Sequence, residues 1–204
     1  MAHHRIIMSC REKERKLAEL NTTMAELCPC SLRDSATTVV PGEGNACAKL
    51  LFIGEAPGKK EDETGRPFVG AAGKFLDELL ASISIRREDV YITNVVKYRP
   101  PNNRDPLPQE VEDCWPWLQQ QIAIIDPVLI LPLGRHALER FVPNARISRD
   151  HGTAFRRTLD GCGTRVFYAL YHPAAALYNG ALRKTLFDDI RKVPKLLQTL
   201  SNHH

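Results

Sequence analysis

The chain has 204 residues, of which 43% are hydrophobic and 25% charged, and this size and composition predict one globular domain with a substantial core. Its apolar runs are shorter than the ~18 residues of a membrane span, and its first residues do not resemble a signal peptide, so we expect a cytoplasmic protein without a membrane partner. The net charge is +4, and basic residues outnumber acidic ones from Pro132 onward. Such a basic region is typical of a polyanion-binding surface, but also of an ordinary solvated one.

The first 27 residues predict a helical extension, because Leu17, Leu20 and Met24 recur at helical spacing among charged residues. From residue 28 to residue 200, apolar runs that favour strands alternate with stretches that favour helices. The predicted strands cover residues 50–53, 90–95, 128–133 and 165–171. The predicted helices cover residues 71–84, 109–124 and 182–200, with a short helix after Gly134. Residues 201–204, which include His203 and His204, predict a tail.

The alternation of strands and helices indicates the fold class. Residues 143–157 are polar and predict a loop, and Pro194 predicts a kink in the last helix. Continuous apolar strands that are separated by helices are typical of a buried parallel sheet. The sequence therefore predicts an α/β fold, a three-layer α/β/α sandwich around a four-stranded parallel sheet.

Six cysteines are spread along the chain. In a reducing cytoplasm, cysteines are usually free thiols or metal ligands, and disulfide frameworks are rare. We therefore expect these side chains to be free or to bind a metal.

Three of the predicted strands end on polar or glycine-rich segments. The first continues into residues 54–58, with the sequence Gly-Glu-Ala-Pro-Gly, the second ends on Asn94, and the last continues into His172. The carboxyl ends of parallel strands face one crevice, where ligands bind in open α/β sheets. An amide can pair with the donor and acceptor edge of a pyrimidine, and a histidine near a helix amino terminus is held neutral. The sequence thus predicts a nucleobase site.

Each of these signals also has an ordinary structural explanation. A glycine-rich segment can turn a strand into a helix, asparagine can form a turn, and a single histidine is commonly structural. Phe68 would serve equally well as a plug at a helix start or as a platform on which a base stacks. Their occurrence together at consistent strand ends favours a ligand site.

The combined motifs resemble those of the uracil-DNA glycosylase superfamily, in particular its iron–sulfur branch, family 4. The resemblance is carried by the ordered segments at residues 39–45, 54–58, 65–70, 91–97 and 171–174. It implies an α/β/α enzyme of base-excision repair that hydrolyses the bond between uracil and deoxyribose, with uracil-containing DNA as its partner. In that family, Phe68 would stack on the flipped uracil, Asn94 would read its edge, and His172 would hydrogen-bond O2 as negative charge develops.

Well-known relatives carry a water-positioning carboxylate at the place of Ala56, which cannot perform that role. A dissociative path therefore fits better, in which the uracil anion leaves first, supported by His172 and by backbone donors near Gly58, and water then captures the sugar cation. Glu55 or Glu61 would orient the water, and the sequence leaves this choice open. Glu61 would also exclude the methyl group at the pyrimidine 5-position.

The resemblance also predicts contacts with DNA. A base must be flipped out of the duplex before it can be removed, at a cost of a few kcal/mol. The helix start at Pro173 and the loop after it would press on the DNA backbone, and Arg183 and Lys184 would contact phosphates. We expect the protein to act as a monomer.

Family 4 holds a [4Fe–4S] cluster on four cysteines, and this chain departs from that ligand set. Cys28 and Cys30 are one residue closer than the family spacing, Tyr98 stands at the third position, and Cys114 stands where it is expected. Such clusters require thiolates, for which a phenol is a poor substitute.

The altered ligand set leaves three outcomes for the cofactor. The domain would be free of a cluster, with Tyr98 packed against the former site, or would hold a labile three-cysteine site. An intact cluster would need Cys10, Cys47 or Cys162 as a replacement ligand, and none has the right local context.

Two further functions stay open. A DNA-binding homologue with impaired catalysis would fit the altered cysteines, although Asn94 and His172 are retained. A hydrolase of free nucleosides or nucleotides would use the same crevice, although the basic carboxyl-terminal part favours a polymer.

Overall fold

The computed structural model describes residues 8–202, and in this part of the chain a six-stranded sheet lies between two layers of helices. The strands are β1 (Glu43–Gly44), β2 (Leu50–Gly54), β3 (Tyr91–Asn94), β4 (Leu129–Pro132), β5 (Ala154–Leu159) and β6 (Gly163–Tyr168). The α-helices are α1 (Cys10–Leu27), α2 (Lys59–Thr64), α3 (Ala71–Ser82), α4 (Pro108–Ile125), α5 (Arg135–Phe141), α6 (Ile147–Asp150), α7 (Pro173–Ala176), α8 (Gly180–Ile190) and α9 (Val193–Ser201). Short 3₁₀ turns cover Ser31–Asp34, Arg87–Asp89 and Pro101–Asn103. No described helix combines the length and the apolar character needed to cross a bilayer.

The centre of the sheet is parallel. The strand order is β1-β3-β2-β4-β6-β5, in which β3, β2, β4 and β6 run parallel and the two edge strands pair antiparallel. The predicted four-stranded parallel sheet is therefore confirmed as the centre of a wider, mixed sheet.

Alternate residues of the central strands face two separate cores. Leu51 and Ile53 pack with α4 and α5 on one side of the sheet, whereas Leu50 and Phe52 pack with α3 and α8 on the other. Because side chains of a strand point alternately to its two faces, a strand that is apolar throughout requires cover on both sides. The three-layer arrangement is confirmed.

The prediction of a loop over residues 143–157 is wrong in part, since this segment contains α6 and the first four of the six residues of β5. Most residues of β5, including Arg156 and Arg157, are exposed at the edge of the sheet. An edge strand that faces water does not need apolar residues, so hydrophobic patterning could not reveal it.

The single kinked helix predicted over residues 182–200 is also wrong. Two helices, α8 and α9, are separated at Arg191 and Lys192, and Pro194 lies in the first turn of α9. Proline is well accommodated there because the first helical N–H groups have no partner within the helix.

Helix α1 packs along α4 with Leu17, Leu20 and Met24 buried, as their spacing predicts. Treating residues 1–27 as an extension of the domain stays a prediction, as does the tail, in which His203 and His204 lie outside the described residues. The prediction that the cysteines are free or metal-bound is wrong for Cys10 and Cys47, which form a disulfide across 37 residues of sequence. Only the packing of α1 brings their Cα atoms to 5.5 Å, a separation suited to a disulfide.

Candidate active site

A cavity of about 370 Å³ opens at the carboxyl ends of the parallel strands. The catalytic and substrate-binding residues that the sequence singled out all line it: Glu55, Ala56, Gly58, Glu61, Phe68, Asn94 and His172. This edge is the usual ligand position in an open α/β sheet.

Gly54 makes the innermost contact of the cavity possible. It lies beside Asn94 in the parallel register of β2 and β3. A Cβ atom at position 54 would come within 2.3 Å of Asn94 Oδ1 and 2.7 Å of the Phe68 ring. Only glycine therefore allows these two side chains to approach the strand end.

The Asn94 side chain is buried and incompletely paired. The residue is 1% exposed, and its Oδ1 atom has no hydrogen-bond partner among the described residues. An unpaired buried acceptor costs about 1–3 kcal/mol, which is unusual unless a ligand completes it. Since Asn94 lines the cavity, the geometry favours a ligand with an N–H donor next to an acceptor.

Phe68 stands on a loop that Glu61 holds in place. Glu61 Oε1 accepts hydrogen bonds from the backbone N–H groups of Val69 at 2.9 Å and Gly70 at 2.8 Å. Phe68 has a φ of 52°, a left-handed conformation that costs a residue with a side chain about 1–3 kcal/mol. The two hydrogen bonds to Glu61 offset this strain and keep the ring beside His172, with 5.6 Å between ring centroids.

His172 caps α7 and offers one defined donor. The backbone N–H of Ala174 donates to His172 Nδ1 at 3.1 Å, so in the neutral ring the proton lies on Nε2. Burial lowers the pKa of His172 to about 4, and the ring is therefore neutral at physiological pH. The sequence predicted this neutrality from a helix dipole, whereas its main cause is burial. The preceding strand, β6, ends at Tyr168 rather than at residue 171.

Glu55 belongs to a charged cluster that the sequence did not reveal. Its Oε1 atom lies 3.7 Å from His136 Nε2. That nitrogen is 3.2 Å from Asp105 Oδ2 and accepts a hydrogen bond from Arg135 Nε at 2.9 Å. Burial raises the pKa of Glu55, and among its charged neighbours His136 lowers it while Asp105 raises it. The protonation of Glu55 therefore depends on this cluster.

The sequence also missed one wall of the cavity, formed by Asn103, Arg104 and Asp105. Arg104 pairs with the buried Glu110 at 2.6 Å, which anchors this loop to α4. No chemical motif marks the segment. The sequence indicates a role for this segment only through its position, since it is a polar loop that follows the strand ending on Asn94.

The predicted DNA-contacting residues lie beyond His172, in and after α7. Pro173 is buried in the first turn of α7. Lys184 is 80% exposed and pairs with Asp188 at 2.6 Å, whereas Arg183 forms an ion pair with Glu78 of α3. The connection from α7 to α8 also presents Tyr178, which is 97% exposed.

A buried cluster, which we call the thiol patch, packs against Ala56 of the cavity wall and contains Cys28, Cys30, Tyr98 and Cys114. A hydrogen bond with Cys114 lowers the pKa of Cys28 to about 7, and one with the same thiol lowers the pKa of Cys30. The Tyr98 hydroxyl donates to the carbonyl oxygen of Met24 at 3.4 Å, and burial raises its pKa to about 12.

The thiol patch does not fit a [4Fe–4S] cluster. Such a cluster takes four thiolates, and the patch supplies three thiols and a protonated phenol. The other cysteines of residues 8–202 are engaged elsewhere. Cys10 and Cys47 form the disulfide, and the Cys162 thiol donates to the carbonyl oxygen of Gln119 at 3.3 Å.

Lys97 connects the thiol patch with the cavity. Its buried Nζ atom donates to the carbonyl oxygen of Asn94 at 2.7 Å, to Thr93 Oγ1 at 2.8 Å and to Gln121 Oε1 at 2.7 Å. Burial lowers the pKa of Lys97 to about 7, whereas three acceptors favour the ammonium form, which has three N–H groups. These bonds fix the backbone from which the Asn94 side chain projects.

The sequence is similar to those of proteins whose family is known. The profile of the uracil DNA glycosylase superfamily matches residues 41–193. A type-4 uracil-DNA glycosylase of Archaeoglobus fulgidus is 46% identical over 198 residues, which cover 94% of this chain and 90% of that protein. Type-4 enzymes of Saccharolobus solfataricus and Thermotoga maritima are 46% and 43% identical, covering 83% and 90% of this chain and 81% and 96% of their own lengths.

Proposed function

The chain belongs to the uracil-DNA glycosylase superfamily and hydrolyses the N-glycosidic bond of uracil in DNA, and we propose that the cavity lined by Asn94, Phe68 and His172 is its uracil pocket. The observation that carries the proposal is the buried, unpaired Oδ1 atom of Asn94. Uracil offers an N3–H donor beside the O4 acceptor, which matches the amide of Asn94. Cytosine presents an acceptor at N3 and a donor at C4, so it would place like groups against each other.

Phe68 and Glu61 complete the recognition of the base in this proposal. The Phe68 ring stacks on the flipped uracil, an interaction worth about 1–3 kcal/mol. Glu61 holds the Phe68 loop through Val69 and Gly70 and borders the cavity beside Gly58. Its carboxylate would exclude the 5-methyl group of thymine.

The leaving group is stabilised by His172 and by the backbone of the turn. As the bond between C1′ and N1 breaks, its electron pair moves onto the base, and negative charge develops on O2. The neutral His172 ring donates its Nε2–H to O2, and backbone N–H groups near Ala56 and Gly58 add further donors. A neutral donor acts without a proton transfer that would leave the ring charged in a buried site.

Glu55 is the better candidate for the carboxylate that orients water. One oxygen of Glu61 is occupied by two backbone N–H groups, whereas the Glu55 carboxylate lies 3.7 Å from the side chain of His136, beyond hydrogen-bonding distance. Burial raises the pKa of Glu55, which makes it a stronger base than an ordinary carboxylate. Water adds its oxygen to C1′, Glu55 accepts the proton, and the uracil anion is released.

DNA would dock on the face that carries α7 and the loop after it. Pro173 sets the direction of α7, and Lys184 has an exposed ammonium group for a phosphate. Arg183 would have to exchange Glu78 for a phosphate. Tyr178, fully exposed beside this loop, could fill the space that a flipped base leaves in the duplex.

Single-turnover release of uracil from an oligonucleotide with one deoxyuridine tests the pocket. We expect Asn94→Ala to slow release at least about 100-fold and to weaken the preference for uracil over cytosine. Asn202→Ala, at the end of α9, is the matched control and should behave as the wild type. Near-native release by Asn94→Ala would remove Asn94 from the pocket.

The salt dependence of the same reaction tests the substrate class. Affinity that falls steeply with salt supports DNA. Turnover of free deoxyuridine that is insensitive to salt would instead support a nucleoside hydrolase.

We further propose that the enzyme works without a four-iron cluster, because the thiol patch holds three thiols and Tyr98. Iron and sulfide analysis of anaerobically purified protein tests this, and four irons per active chain would contradict it.

A monomeric state and a cytoplasmic location stay predictions, for which sedimentation of the protein and cell fractionation are the measurements.

A further inference from the structure

We propose that His136 and Asp105 are positioning residues that control the protonation of Glu55, and thereby the lowest pH at which Glu55 can orient the attacking water. The proposal rests on the role given to Glu55 above. It adds two residues, neither of which belongs to the motifs that carry the family resemblance.

Three separate segments bring these side chains together. Glu55 follows β2, Asp105 lies in the loop before α4, and His136 lies in the first turn of α5. One carboxylate oxygen of Glu55, one of Asp105 and one ring nitrogen of His136 all lie within 4.8 Å of one another. Residues this far apart in sequence meet only because all three segments border the same end of the sheet.

His136 has a suitable partner in each of its protonation states. When the ring is neutral, Nε2 accepts the hydrogen bond from Arg135 Nε at 2.9 Å. When the ring is protonated, Nε2 can donate to Asp105, whose Oδ2 atom is 3.2 Å away. The Nε2 atom of His136 therefore lies within hydrogen-bonding distance of one donor and one acceptor.

The surroundings make the charge on His136 effective at Glu55. Val95, Pro106 and Val111 form an apolar wall around a second, smaller cavity between Glu55 and His136. Charges interact more strongly where apolar groups displace water. The Glu55 side chain is 25% exposed and that of His136 is 32% exposed, so neither is fully hydrated.

The charged groups around Glu55 act in opposite directions. In acidic solution, where histidine carries a proton, His136 favours the ionised form of Glu55, as does Arg135. The carboxylate of Asp105 disfavours that ionised form. Removing the His136 charge should therefore raise the pH at which Glu55 ionises, and removing the Asp105 charge should lower it.

The experiment is a pH–rate profile of single-turnover uracil release for His136→Asn, Asp105→Asn and Glu55→Gln. We expect the acidic limb to move up by about one pH unit in His136→Asn and down by a similar amount in Asp105→Asn. Glu55→Gln should lose at least about 100-fold in rate and its acidic limb should flatten. His136→Lys retains a positive charge and should restore the limb toward its wild-type position.

Glu112→Gln is the control, because Glu112 is an exposed carboxylate on α4 that pairs with Arg140. A merely structural role for His136 would lower the rate at every pH and leave the limb in place. A second outcome is that Glu55→Gln is slow while His136→Asn and Asp105→Asn fail to shift the acidic limb of the pH–rate profile in opposite directions. In that case the positioning proposal is wrong and the role of Glu55 stands. If Glu55→Gln releases uracil at a near-native rate, the role of Glu55 is wrong, and with it the positioning proposal.

Discussion

The proposed uracil pocket and the thiol patch both contact Lys97, through the carbonyl oxygen of Asn94 and the thiol of Cys114, but they depend on different kinds of packing. In the pocket, Asn94 and Phe68 approach Gly54 so closely that an added Cβ atom would lie within 3 Å of both. In the thiol patch, Tyr98 stands where the family resemblance implies a cysteine, is 3% exposed, and donates its hydroxyl to a backbone carbonyl. The two regions therefore differ in how tightly their side chains are constrained by neighbouring atoms.

The contrast concerns what a substitution would cost in each region. A pocket that works through directed hydrogen bonds leaves a buried group unpaired when one partner is lost, at a cost of about 1–3 kcal/mol. In the thiol patch, the Tyr98 hydroxyl donates to the carbonyl oxygen of Met24, so this side chain leaves no buried hydroxyl without a partner. On this view, uracil excision depends on the pocket, and the thiol patch contributes to stability.

The largest effect that would test this view is in the pocket. We expect His172→Ala to slow uracil release about 100- to 1000-fold, because it removes the donor to the leaving base, with little change in DNA affinity. Single-turnover rates and DNA titrations separate the two effects. A variant that only loses DNA affinity would show that His172 does not act on the leaving group.

The same variant has a second, pH-dependent signature. Burial lowers the pKa of His172 from 6.5 to about 4, so between these values the unfolded chain binds more protons than the folded one. The wild type should therefore lose stability as the pH falls from about 6.5 to about 4. His172→Ala should lose less, measured as the change in melting temperature over that range.

An intermediate effect is expected at Lys97, which contacts both regions. Lys97→Met leaves three buried acceptors without their donor and should lower the free energy of unfolding by about 3 kcal/mol. Release of uracil should slow about tenfold, less than the ~100-fold that follows from displacing a catalytic group. Lys195→Met, exposed on α9, is the control for denaturant unfolding. Unchanged stability would mean that Lys97 does not anchor the end of β3.

The smallest effect on activity is expected in the thiol patch. Cys114→Ala removes one buried thiol and should cost about 1 kcal/mol of stability, while uracil release stays close to the wild-type rate. Unfolding curves and single-turnover rates measure the two quantities. A loss of activity accompanied by a loss of bound iron would make the patch a working cofactor site and would end the contrast with the pocket.

Much of the pocket was predictable because it depends on local sequence. The apolar run of β3 ends on Asn94, and parallel strands of similar length must present their carboxyl ends on one edge. His172 before Pro173 predicts a position near a helix amino terminus, and in the structure His172 lies at the N-cap of α7. Phe68 joins them at the cavity through a loop that Glu61 holds, and strand topology does not predict this position.

Other features of the site and the fold depend on contacts between distant segments, so they could not be predicted from local sequence. Nothing in the sequence around His136 or Asp105 indicates that they lie beside Glu55, because the approach is set by how α5 and the loop before α4 pack at the sheet edge. The exposed edge strand β5 carries no apolar pattern.

The sequence by itself determined the α/β class, the parallel centre of the sheet and the set of polar residues at its carboxyl edge, because strand periodicity and strand-end chemistry are local properties. The tertiary structure alone decided that burial keeps His172 neutral and that Tyr98 closes the thiol patch. It also decided that Glu61 binds the backbone of the Phe68 loop, whereas Glu55 joins a charged cluster. The burial of a side chain and its distance from other charges both depend on segments that are distant in sequence. These properties therefore exist only once the chain has folded.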